Sequence, residues 1–77
     1  VNRRNGLDAF NRAIFNLNLE MLQLMYNHGI RGDLYRARNR AHNAARRWAN
    51  RNPDEADTYN RIATWAEEVI ANDPHYQ

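Results

Sequence analysis

The side chains that most often carry out catalysis are scarce in this 77-residue chain. It contains neither cysteine nor serine, so the usual arrangements of a nucleophile beside a base are not available, and only threonine, tyrosine and carboxylates are left. Glu67 and Glu68 are adjacent, and adjacent residues of a helix point in different directions, which argues against a paired acid and base. We therefore expect no catalytic residues and no enzymatic activity.

Ligands for a metal or a nucleotide are also missing from the sequence. The three histidines, His28, His42 and His75, have no convincing second ligand at the spacings of three or four residues that metal sites on helices use. No glycine-rich loop is followed by Lys-Ser or Lys-Thr, which excludes a phosphate-loop nucleotide site. We expect no metal, no cofactor and no small-molecule substrate.

The residues best suited to recognition are the arginines, which supply every formal cation of the chain. Six of them lie within Asp33–Arg51, where the only acid is Asp33 itself. Arginine keeps its charge at any working pH and pairs in a planar geometry with carboxylate or phosphate. This segment is therefore a candidate surface for an acidic partner.

Four of these arginines form a row on a predicted helix. At about 100° per residue the row falls within a band of about 60° and is about 22 Å long, which suits a phosphate backbone; its members are Arg36, Arg40, Arg47 and Arg51. Asparagines and a histidine that could hydrogen-bond bases lie beside it, namely Asn39, His42, Asn43 and Asn50. The last third of the chain is acidic, so three partners remain open: nucleic acid, an acidic protein and the chain's own last helix.

Three helices are predicted to position these residues, at about 7–28, 34–51 and 53–71. Gly29 ends the first, Asp33 caps the second, and Asn52 followed by Pro53 starts the third. The second and third helices have inward faces of small and apolar residues: Leu34, Ala37, Ala41, Ala44 or Ala45 and Trp48 on one, and Tyr59, Ile62, Ala63, Ala66, Val69 and Ile70 on the other. With no strand signals, the sequence predicts an all-α three-helix bundle forming one domain over 1–77.

The first predicted helix has two apolar faces, although a three-helix bundle needs only one from each helix. One stripe consists of Leu7, Phe10, Ile14, Leu17, Met21 and Leu24. A second set lies roughly 140° away and consists of Phe15, Leu19, Leu22 and Tyr26. Exposed, the second set would form an apolar patch that monomers rarely tolerate. It therefore predicts a protein interface, unless the first helix lies centrally and is covered on both sides.

These observations favour a non-enzymatic protein-protein interaction module, a homodimer or an accessory subunit of a larger assembly. The alternative is a nucleic-acid-binding or regulatory protein that uses the arginine row. No apolar segment is long enough to span a bilayer and the first residues do not resemble a secretory signal, so we expect a cytoplasmic protein that does not bind membranes. The arginine-only composition is consistent with codon bias in a GC-rich genome, and a Val1 compatible with a GUG start codon points to a bacterial or phage gene.

Overall fold

The computed structural model describes residues 3–77, with burial from residue 6 onward, and is built from helices. It contains four α-helices: α1 (Arg3–Asn16), α2 (Leu19–Asn27), α3 (Leu34–Trp48) and α4 (Pro53–Asn72), followed by a 3-10 turn (Pro74–Tyr76). No β-strand occurs in this described part of the chain. The all-α prediction is confirmed, and four helices stand where three were predicted. None of the described helices is long and apolar enough to cross a membrane.

The prediction of one continuous first helix over 7–28 is wrong, because the chain breaks at Leu17 and Asn18. Leu17 takes a left-handed conformation with φ of 52°. The Leu17 and Asn18 amides donate to the carbonyls of Ile14 and Ala13, both at 3.1 Å, which is a Schellman ending for α1. The Asn18 side chain then accepts the Met21 amide at 3.2 Å and caps α2.

The break accounts for the two apolar faces of the predicted first helix. In α1 the buried residues Phe10 and Ile14 belong to the first stripe, whereas in α2 the fully buried residue is Leu22, from the second set. The chain turns a different face toward the core after the break. The first stripe therefore supplies buried residues in α1, and the second set supplies one in α2. Consequently Met21 and Leu24, predicted to point inward, are 43% and 52% exposed.

Helices α3 and α4 form an antiparallel pair joined by a short turn. The α3 residues that are buried confirm the predicted alanine seam, with Leu34, Ala37, Ala41 and Ala45 inside and Trp48 half-buried. On α4 the buried residues are Ala56, Ile62, Ala63 and Ala66. Small side chains on both helices allow their backbones to approach closely. Helix α3 ends at Trp48 rather than at Arg51, so Arg51 lies in the turn.

The link between α2 and α3 depends on two glycines for different reasons. Gly29 has φ of 92° and ends α2, as predicted, since glycine takes left-handed angles without steric penalty. Gly32 is buried, and a Cβ placed on it would overlap the ring of Phe10. The absence of a side chain at Gly32 thus lets Phe10 pack directly on the backbone that leads into α3.

Candidate nucleic-acid interface

An open cleft of about 580 Å³ lies between the end of α1, one side of α3 and the start of α4. Its lining combines three arginines of the predicted row with aromatic and amide side chains: Phe15, Asn16 and Leu17 from α1 and its end, Arg36, Arg40, Asn43, Ala44, Arg47 and Trp48 from α3, and Tyr59 from α4. We call this the arginine cleft. No carboxylate is among its lining residues.

Arg40 joins α3 to the end of α1 at the edge of this cleft. Its Nε and Nη2 donate to the Phe15 carbonyl at 3.2 and 3.0 Å, and its guanidinium carbon lies 4.6 Å from the centroid of the Phe15 ring. The Phe15 carbonyl belongs to the last turn of α1, where carbonyls lack helical partners. The position of Arg40 is therefore fixed, while three of its five N–H groups remain for another acceptor.

The guanidinium groups of Arg36 and Arg47 form no ion pair and no hydrogen bond with the described residues, and both residues are exposed. The three ion pairs of the described residues place the acids elsewhere: Arg31 with Asp73, His42 with Glu67, and Arg61 with Asp57. Of these only the His42–Glu67 contact links α3 to α4. Among the described residues, no carboxylate of the acidic last helix forms an ion pair with an arginine of the row.

Aromatic side chains border the cleft on all three helices. Phe15 is 68% exposed, whereas Trp48 and Tyr59 are half-buried and each presents part of its ring. The Tyr59 hydroxyl donates to Glu55 at 3.2 Å, and burial, followed by this hydrogen bond, raises the pKa of Tyr59 above its ordinary value of 10. Tyr59 thus stays protonated, and Glu55 is hydrogen-bonded to a residue that lines the cleft.

Of the polar residues predicted to accompany the arginine row, only one lines the cleft. Asn43 lines the cleft, but Asn39 accepts hydrogen bonds from Arg38, and His42 is bound to Glu67. Asn50 and Arg51 lie in the turn that follows α3. The cleft therefore keeps three of the four predicted arginines.

The residues of the predicted protein interface do not form one surface. Phe15 belongs to the arginine cleft, Leu19 is half-buried, and Leu22 is fully buried inside the chain. Tyr26 packs edge-on against Trp65, with ring centroids 5.9 Å apart, and its hydroxyl donates to Asp73. Leu22 is closed to any partner in this structure because the break at Leu17 turns the second set toward the core.

Sequence reasoning missed the aromatic part of the cleft. The sequence pattern places Trp48 and Tyr59 on inward faces and Phe15 on a separate surface. One signal was available: Trp48 directly follows Arg47, and Ala44 and Trp48 flank the arginine side of the helix at a spacing of four residues. What the sequence could not show is that α1 ends beside α3 and adds Phe15 to the same cleft.

The described residues contain no group of three or more histidine, aspartate or glutamate side chains arranged to hold a metal ion. Comparison of the chain with protein-family models, with curated proteins and with solved structures finds no match.

Proposed function

We propose that this chain is a non-enzymatic, cytoplasmic nucleic-acid-binding module that contacts a phosphate backbone through the arginine cleft. The observation that supports this proposal is the cleft itself, which is lined by Arg36, Arg40 and Arg47 and by no carboxylate. Phosphate suits such a site because guanidinium groups offer paired N–H donors in one plane. Several acids of the chain are paired on or beside α4. None of them lines the arginine cleft, so the lining of the cleft is positively charged.

The spacing of the arginines supports an extended ligand rather than a single small anion. Arg36 and Arg40 are one helical turn apart, about 6 Å along the axis, and Arg47 lies about 10 Å further. A polyanion can contact all three at once, whereas an isolated phosphate reaches one or two. Each contact releases condensed counterions, so affinity should fall with salt.

Fluorescence anisotropy with labelled oligonucleotides over a range of salt concentrations tests the proposal. Three phosphate contacts predict a slope of log K against log salt of about −2 to −3. Arg47→Gln should weaken binding and flatten that slope by about one. The matched control is Arg61→Gln, which makes the same change in net charge at a residue paired with Asp57 on α4.

Two results would overturn the proposal. One is the absence of salt-dependent binding to any nucleic acid. The other is an equal loss of affinity in Arg47→Gln and Arg61→Gln, because the effect would then follow net charge and not the cleft.

A second candidate function is self-association as a homodimer, which the exposed apolar side chains of α2 favour. Met21 and Leu24 lie one turn apart and are 43% and 52% exposed. Met21 also lines a groove of about 440 Å³ between α1 and α2, together with Ala9 and Ala13. A second copy of the chain that covered these residues would remove apolar surface from water.

Light scattering during size-exclusion chromatography, run over a range of concentrations, tests the homodimer. Dimerisation through α2 predicts a mass that rises with concentration in the natural chain and stays monomeric in Leu24→Gln. Since Leu24 is more than half exposed, this variant should fold normally. A monomeric mass for the natural chain at every concentration would rule the homodimer out.

A further inference from the structure

We infer that the ligand of the arginine cleft is a single-stranded nucleic acid whose bases stack on the aromatic rings of the cleft. This inference depends on the proposed function and specifies its ligand class. Single strands expose base faces that a duplex hides, and proteins that bind them combine a positive groove with aromatic side chains. The arginine cleft has both features in one place.

Phe15 carries the first part of the inference. A phenylalanine ring 68% exposed to solvent is costly in a chain with so small a core. The ring nevertheless has a defined position, because the Arg40 guanidinium lies 4.6 Å from its centroid and is bonded to the Phe15 carbonyl. Phe15 is thus a positioned, accessible aromatic surface beside a cation, which suits stacking with a base.

Trp48 and Tyr59 carry the second part. They come from different helices and meet in the same cleft as the arginines. Their half-buried rings are held by packing, so little rotational freedom would be lost when a base stacks on them. Asn16 and Asn43 add amide groups that can donate to and accept from base edges.

The packing of α3 argues against reading of a duplex. A recognition helix enters the major groove with a freely exposed face. Here α3 is covered by α4 on one side and contacted by the end of α1 on another. Two outward polar residues of α3 are engaged within the chain, since His42 binds Glu67 and Asn39 accepts hydrogen bonds from Arg38.

Four ligands, matched in length and charge as far as their chemistry allows, distinguish base stacking from phosphate contact and from general attraction to a polyanion. They are an oligothymidylate, the same strand with abasic sites, a duplex and a polyglutamate peptide. The protein is the full chain with Trp65→Phe, which leaves Trp48 as the only tryptophan. We expect oligothymidylate to quench Trp48 fluorescence and to bind about 5-fold to 150-fold more tightly, per stacked base, than the abasic strand.

A variant pair identifies the ring that stacks. Phe15→Leu keeps an apolar side chain but removes the ring, so oligothymidylate affinity should fall toward that of the abasic strand. Tyr35→Leu is the control, because Tyr35 is an exposed aromatic residue of α3 that does not line the cleft. Circular dichroism confirms that both variants are folded. If the natural chain and Phe15→Leu bound oligothymidylate with equal affinity, Phe15 would not be a ring on which a base stacks.

The outcomes separate the inference from the proposed function. Equal affinity for the abasic strand and oligothymidylate, or tighter binding of the duplex, would overturn the stacking inference while phosphate binding stood. Binding of polyglutamate without binding of any nucleic acid would overturn both and indicate an acidic protein as the partner. If the protein bound none of the four ligands, the stacking inference and the proposed function would both be overturned.

Discussion

Side chains of α2, of the link to α3 and of the chain end form a single polar network. The Tyr26 hydroxyl donates to Asp73 at 2.5 Å, and Arg31 donates to Asp73 at 2.9 Å and to the Tyr26 carbonyl at 2.9 Å. The Tyr76 hydroxyl donates to the Gly32 carbonyl at 2.7 Å. The hydrogen bond from Tyr26 is the main cause that lowers the pKa of Asp73 and raises that of Tyr26. The network joins α2 to the end of α4.

Alkaline pH should weaken this network. Burial raises the pKa of Tyr76 from 10.0 to about 12. Between these values the unfolded chain loses the proton that the folded chain keeps, so the free energy of unfolding falls as pH rises. We expect urea unfolding at about pH 7, 10 and 11.5 to show this fall, and to show a smaller fall in Tyr76→Phe. An equal fall in the variant would contradict the assignment to Tyr76.

Gly32 and Gly29 are glycines for different physical reasons, close packing at Gly32 and a left-handed backbone angle at Gly29, and alanine variants distinguish the two. Gly32→Ala should destabilise the fold by about 1 to 3 kcal/mol, because the new methyl group overlaps the Phe10 ring and the core must shift. Gly29→Ala meets no atom within 4 Å and should lose only about 1 to 2 kcal/mol through its backbone angle. Chemical denaturation measures both. The core shift should also alter near-ultraviolet circular dichroism in Gly32→Ala alone.

Helix ends that carry conventional sequence signals were predictable, whereas the break at Leu17 was not. Asp33 and Asn52 cap α3 and α4 as expected, accepting the amides of Arg36 and Glu55. Gly29 ends α2 as expected. Leu17 uses the same Schellman hydrogen bonds as Gly29 but lacks glycine's conformational freedom, so the residue type gave no sign of the ending. The two apolar faces were the only trace of it.

The physical reason for the break lies in packing between elements that are distant in sequence. A continuous helix would keep Phe10 and Ile14 inside but would turn Leu22 to solvent. Burying Leu22 together with Phe10 and Ile14 offsets the roughly 1 to 2 kcal/mol that a left-handed leucine costs, and Met21 and Leu24 become exposed in exchange. The hydrophobic spacing of residues 7–28 could not reveal this balance, because the burial gained at the break depends on where α3 and α4 lie. The cleft shares that dependence, since its α1 residues reach α3 only after the break.

Asn18→Ala tests whether α2 starts where the structure places it. Removing the side chain that accepts the Met21 amide should lower the free energy of unfolding by about 1 kcal/mol. The matched control is Asn11→Ala, at an exposed position inside α1, which should raise stability by a few tenths of a kcal/mol through helix propensity. If Asn18→Ala were instead as stabilising as Asn11→Ala, residues 3–27 would form one helix in solution.

Across the whole molecule, charge is separated although the net charge is only +2. Three exposed arginines of α3, Arg36, Arg40 and Arg47, line one cleft, and α4 carries five carboxylates and one arginine. The sequence predicted both groups but not their relative placement, because helix packing determines which sides face each other. The result is a cleft lined by arginines and by no carboxylate, with Glu55 hydrogen-bonded to the cleft residue Tyr59.

Glu55 should therefore oppose the binding of an anion to the arginine cleft. Glu55→Gln removes its charge and keeps a group that can accept the Tyr59 hydrogen bond. Affinity for an oligonucleotide should rise by up to about fivefold at low salt, equivalent to at most about 1 kcal/mol for an exposed charge, and the gain should disappear as salt rises. Glu68→Gln makes the same charge change about 20 Å further along α4, which is more than two screening lengths away at about 0.15 M salt, so the two variants are compared at that salt. Equal gains in the two variants would mean that net charge governs binding, whereas a gain only in Glu55→Gln locates the anion in the cleft.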